Sequence, residues 1–143
     1  MSDTAKHSVS VAGVVVDDSQ RVLLVQRRDN GHWEPPGGVL ELNETVEDGV
    51  RREVEEETGV SVEVARLTGV YKNVKRGIVA LVFRCKPISG SARPTEESSN
   101  VEWLDLADAL SRMDEAYAVR VSDAYQDVPA IRAHDGVQLL TRL

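Results

Sequence analysis

Between Gly38 and Val60 the chain reads Gly38, five residues, Glu44, seven residues, then Arg52-Glu53-Val54-Glu55-Glu56-Glu57-Thr58-Gly59-Val60. Projected on a helix at about 100° per residue with Val46 at zero, Val50 falls near 40°, Val54 near 80°, Glu57 near 20°, Glu53 near 340° and Glu56 near 280°. Two carboxylates thus share the apolar face. Burying ionised carboxylates against a core is costly unless a cation or hydrogen bonds compensate. Glu47, Asp48 and Glu55 point away and are ordinary solvated acids. The spacing predicts a helix that presents Glu53, Glu56 and Glu57 together.

The remaining sequence bounds what such a helix can belong to. A chain of 143 residues, 41% hydrophobic and 29% charged, is expected to fold as one domain, residues 1–143, and to bury its own core. The net charge of −7 repels a polyanion unless a divalent cation or local positive charge intervenes, so duplex nucleic acid is not an expected partner. Residues 1–6 hold no apolar signal core, and the apolar runs Val11 to Val16 and Ile78 to Phe83 are too short to cross a bilayer. A cytoplasmic protein with no membrane partner is expected. Cys85, the single cysteine, excludes an internal disulfide and a thiolate cluster, and its apolar strand setting assigns it to the core.

Valine-rich Ser8 to Val16, the turn residues Asp17-Asp18-Ser19-Gln20 and apolar Arg21 to Gln26 predict a hairpin. Pro35-Pro36-Gly37-Gly38 is expected to be irregular, since neither proline donates an amide hydrogen. A helix from about Thr45 to Thr58 follows, its start marked by Asn43 and again by Thr45 to Asp48, its end by Gly59. Strands are expected over Val60 to Val74 and Gly77 to Lys86, joined at Lys75-Arg76-Gly77. A loop follows over Pro87 to Ser99, then a short strand at Val101 to Leu104 and helices at Leu106 to Met113 and Tyr117 to Tyr125. The order implies a mixed α+β fold or α/β/α sandwich rather than repeated βαβ units.

Residues 38–60 match the Nudix box at all nine of its fixed positions, and the chain resembles the Nudix (MutT-like) pyrophosphohydrolases. Trp33-Glu34-Pro35-Pro36-Gly37-Gly38 is similar to the family's entry into the box, and Val101-Glu102-Trp103-Leu104 to its final strand before a helix. Asn43 stands where the family usually has Gly, and Pro35 is a further departure. The resemblance implies the Nudix fold, an α/β/α sandwich with a mixed sheet. It also implies that Glu53, Glu56 and Glu57, with the Gly38 carbonyl, hold Mg²⁺ or Mn²⁺, hard cations suited to oxygen ligands. Arg52 is implied to orient carboxylates by pairing with Glu44, against the simpler reading of an i,i+4 pair with Glu56. The general base comes either from the box, as Glu53 or Glu56, or from the later loop, as Glu96 or Glu97.

For the substrate side, Arg27 and Arg28 end the second strand, Lys75 and Arg76 lie at a turn and Lys72 just ahead of it; all could reach phosphates, and all could be plain solvated charge. Trp33 either stacks on a base or packs under the loop, the second being the commoner outcome, and Trp103 reads as core. His7, His32 and His134 have no ligand spacing, and only His32 is expected near the site. The family's markers for ADP-ribose and for dinucleoside polyphosphates, a Pro or a Tyr fifteen to eighteen residues past the box, are absent at Lys75 to Ile78. The expected activity is metal-dependent hydrolysis of a nucleoside diphosphate linked to another moiety, marginally a nucleoside triphosphate, a damaged one included. ADP-ribose or a nucleotide sugar is the alternative. A non-catalytic nucleotide-binding regulatory Nudix domain and an isopentenyl diphosphate isomerase are the competing classes. The intact box speaks against the first, the short chain and strand-bound Cys85 against the second. A homodimer is compatible with all of these.

Overall fold

The computed structural model describes residues 4–140. Strand β1 (Ser8–Val15) is an inner strand of a five-stranded mixed sheet. It pairs in parallel with β6 (Ile78–Gly90), from Ser8 beside Ile78 to Val15 beside Cys85, and antiparallel with β4 (Gly37–Val39). Strand β5 (Val60–Asn73) lies antiparallel to β6, and β8 (Ala130–His134) closes the far edge in parallel with β5, giving the order β4-β1-β6-β5-β8. A second, antiparallel sheet is built from β3 (Trp33–Glu34), β2 (Val22–Arg27) and β7 (Ser98–Leu104). Three helices, α1 (Val46–Thr58), α2 (Leu106–Ser111) and α3 (Glu115–Asp123), complete an α+β fold with helices on both faces of the mixed sheet.

The alternation of side chains along β1 divides the core. Val11 and Val15 face α1, where they meet Val50, Val54, Phe83 and Cys85. Ala12 and Val14 face the other way, toward Tyr71, Val82, Val121 and Ala124. The predicted helix at the box is α1. Thr45 caps it by accepting from the Asp48 amide at 3.2 Å, and Gly59, at φ 80°, ends it in the left-handed conformation. Cys85 is buried, as its strand pattern predicts.

Four expectations need correction. The residues read as a hairpin do turn, with Asp17 accepting from the amides of Ser19 and Arg21 at 2.9 Å, but the strands part into different sheets after one bridge between Val16 and Val22. A run buried on both faces from Val11 to Val16 needs a central position, which parallel pairing with β6 supplies. Irregular structure was expected throughout Pro35 to Gly38. Only the prolines lack strand structure; Gly37 and Gly38 pair with Ala12 and Val11, so closely that a Cβ on Gly37 would run into the β1 backbone. Strand β6 continues past Lys86 to Gly90 because Pro87 sits beside a bulge at Ser61 and Val62, where a missing donor is tolerated. Finally β8 has no counterpart in the predicted elements. It is an inverted edge strand, with Ile131 86% exposed and His134 buried, so its apolar pattern points the wrong way.

Candidate active site

Helix α1 sets its carboxylates against β4. Glu53 and Glu57 are buried beside Val50 and Val54, as the projection predicts, while the Glu56 side chain is 57% exposed. The Gly37 amide donates to Glu57 Oε1 at 2.6 Å. A Cβ built on Gly38 would lie 2.5 Å from Glu53 Oε2, so only glycine lets the strand approach this carboxylate. Burial pushes the Glu57 carboxyl up to about 8; the nearby charges of Glu53, Glu34 and Glu97 add to the push, and the Gly37 hydrogen bond opposes it. Glu53 is also raised by burial, against the pull of Arg52.

Arg52 makes both of the contacts weighed for it in the sequence. Its Nε donates to Glu44 Oε2 at 2.9 Å and its Nη2 to Glu44 Oε1 at 2.6 Å, a bidentate fork. Its Nη1 reaches Glu53 at 2.8 Å and Glu56 at 3.3 Å. Held in this way, the Glu44 carboxyl drops to about 2. Among the described residues no three His, Cys, Asp or Glu side chains close on one point as a finished metal site. The donor set nonetheless fits a hard cation: Glu53, Glu56, Glu57 and the Gly38 carbonyl offer oxygen alone, and among the described residues the buried Glu57 carboxyl bonds no cationic side chain.

Beside these carboxylates a cleft of about 480 Å³ crosses the mixed sheet, reaching from Gly37 and Gly38 to Tyr71, Arg120 and His134. It brings together several of the residues singled out on the substrate side. Arg27, His32, Lys75 and Arg76 line it, although Arg27 is already engaged by Asp29 at 2.7 Å and Glu34 at 3.2 Å. Arg28 lies elsewhere, its guanidinium donating to the Thr95 carbonyl at 3.1 Å. Trp33 is partly buried and packs against the core on the α3 side with the Arg112 guanidinium 4.8 Å from its ring centre, and it is not among the residues that line the cleft. Trp103 packs beside the α1 core cluster. Glu97 is exposed just ahead of β7, close enough to raise the carboxyls of Glu53 and Glu57.

His134 is the residue that sequence reasoning placed away from the site and the fold places in it; Arg120, Tyr71 and Glu34 were not singled out at all. A signal for Arg120 exists. On α3, Ala116, Arg120 and Ala124 recur every four residues on one buried face, the same clash of charge with an apolar stripe that marks Glu53 and Glu57.

With this geometry in view, the NUDIX domain model matches residues 6–125. A MutT-like protein of Streptomyces ambofaciens is 59% identical over 135 residues, spanning 94% of this chain and 88% of that protein. An ADP-ribose pyrophosphatase of Methanocaldococcus jannaschii is 35% identical over 106 residues, 69% of this chain and 62% of its own length. Among solved structures, a NUDIX hydrolase from Nitrosomonas europaea shares the fold at a TM-score of 0.78 and 23% identity, over 92% of this chain and 82% of that one. A box helix that buries Glu53 and Glu57 against β4, within a chain matched by this domain over most of its length, belongs to the Nudix hydrolase family.

Proposed function

We propose that the chain is a divalent-metal-dependent pyrophosphohydrolase that cleaves a nucleoside diphosphate joined to a further group, with a nucleoside triphosphate as the favoured substrate. The observation that supports this reading is the buried pair Glu53 and Glu57 packed behind Gly37 and Gly38, two glycines that line a cleft of about 480 Å³. Glu53, Glu56, Glu57 and the Gly38 carbonyl would hold Mg²⁺ or Mn²⁺, which when bound supplies charge neutralisation for the diphosphate and acidifies water. An acidic protein can hold an acidic substrate in this way.

The chain's own residues do the rest. Glu53, desolvated and held at 2.8 Å by Arg52, is the group assigned to take a proton from the attacking water as the new P–O bond forms and the anhydride P–O bond breaks. Arg52 fixes the direction of that carboxylate and is itself fixed by Glu44. Glu97, whose charge reaches Glu53, is the loop alternative for the base. Lys75 and Arg76 add positive charge to the cleft wall beside His134, which favours an acidic substrate. A relative being called an ADP-ribose pyrophosphatase keeps that substrate as the second reading. Incubation with a panel of nucleoside triphosphates and ADP-ribose, with and without Mg²⁺, tests the proposal. Metal-dependent release of a nucleoside monophosphate is expected, and no phosphate-bearing product from any of them would sink it.

A further inference from the structure

The floor of the cleft holds a charge that the reaction described above does not use. Arg120 is only 7% exposed, its Nε is buried with no hydrogen-bond partner, and no carboxylate bonds its guanidinium among the described residues. The group lies over two rings, with its central carbon 5.0 Å from the centre of Tyr71 and 4.6 Å from that of Tyr117. Tyr71 is itself pinned, donating at 2.7 Å to Asp123, which Arg132 grips at 2.7 and 2.8 Å.

The contact that looks like a partner for Arg120 is not one. Its Nη2 lies 3.3 Å from His134 Nε2. The Gly136 amide, always a donor, points at His134 Nδ1 at 2.9 Å, so Nδ1 keeps its lone pair and the neutral ring carries its hydrogen on Nε2. Burial and the Arg120 charge both favour that neutral form. Two donors therefore face each other at the bottom of the cleft with no acceptor between them. One oxygen about 2.9 Å from each would satisfy both.

We propose that Arg120 and His134 form a two-donor receptor for a carbonyl oxygen of the nucleobase, selecting oxo bases over amino bases. The inference rests on the nucleotide reading of the cleft and adds which bases it takes. Guanine, hypoxanthine and uracil carry a carbonyl where adenine and cytosine carry an amino group, and an amino group would bring a third donor to two that have no acceptor between them; the one carboxylate of the cleft that acts on Arg120, Glu34, is held by Arg27 at 3.2 Å. The buried, tyrosine-flanked floor suits a planar base better than a hydrated phosphate.

The test is made on the full chain in two arms. Hydrolysis is measured with GTP, ITP, UTP, ATP and CTP in Mg²⁺, and equilibrium binding of GMP, IMP and AMP is measured in EDTA. The oxo bases should lead by about tenfold or more in both kcat/KM and affinity. Arg120→Gln, whose amide can turn either face to the ligand, should bring the ratio close to one, chiefly through KM for the oxo bases. If that variant fails a melting check, His134→Gln should reduce the same ratio in part. Equal binding of GMP and AMP by the native chain overturns the proposal, as does a variant that weakens all bases alike. Loss of inorganic phosphate binding in Arg120→Gln would mean that the donors hold a phosphate oxygen, and overturns it too. Absence of hydrolysis with base preference kept in binding sinks the hydrolase reading alone.

Discussion

Arg52 grips Glu44 through two parallel hydrogen bonds of 2.9 and 2.6 Å while its remaining nitrogen holds Glu53 at 2.8 Å. The arginine is thus a strut between Glu44, which also accepts from the Glu41 amide at 2.9 Å, and Glu53, the carboxylate proposed above as the base. Glu44→Gln removes the charge that balances the strut and leaves the cleft walls untouched. Turnover should fall about ten- to a hundredfold. Arg52→Lys should not preserve activity, because a point charge cannot make the fork. Steady-state rates of both variants check this; native turnover in Glu44→Gln would show that the fork is structural only.

Glu56 differs from its neighbours in being exposed, so its removal should cost the fold little. Glu56→Gln should lose most turnover while its melting temperature stays at or above that of the native chain, since one charge leaves an acidic cluster. Native chain at 100 times the metal dissociation constant should gain about 2.7 kcal/mol, seen as a rise in melting temperature. That rise should be smaller in the variant. A native melting point indifferent to Mg²⁺, or a variant with full turnover, would contradict the assignment.

Gly38→Ala probes how closely β4 must approach α1. The added methyl would meet the Glu53 carboxylate at 2.5 Å, and the strand cannot retreat because Gly38 is paired with Val11. The carboxylate must swing away, taking its bond to Arg52 with it. Activity should fall by about a hundredfold, the order expected when a reacting group is misplaced by about 1 Å. Circular dichroism should show the native fold; unchanged activity would mean that Glu53 has room the geometry does not show.

The box helix was legible because its signal is local. Thr45, Gly59 and the four-residue recurrence of Val46, Val50 and Val54 all lie within one element, and the same projection separated buried Glu53 and Glu57 from exposed Glu55. The cleft floor was not legible, since Tyr71, Arg120 and His134 meet only through the pairing of β5 with β8 and the packing of α3. Arg28 does not line the cleft, for a related reason. A basic residue at a strand end could turn to either side, and the distant carbonyl of Thr95 decides which.

His134 supplies a pH-dependent test of the cleft floor. Burial and then the Arg120 charge lower its folded-state value below the ordinary 6.5. Below pH 6.5 the unfolded ring takes up a proton that the folded ring resists, so protonation favours the unfolded chain. The stability this group contributes is therefore present above pH 6.5 and is lost as pH falls through the lowered folded value. His134→Gln removes the titration and leaves every other ionisable group in place. Melting temperatures of the two proteins between pH 7.5 and 5 should converge as the pH drops, the native chain losing more. Parallel curves would mean that the folded ring is as free to protonate as in an unfolded chain, contrary to its burial beside a desolvated guanidinium.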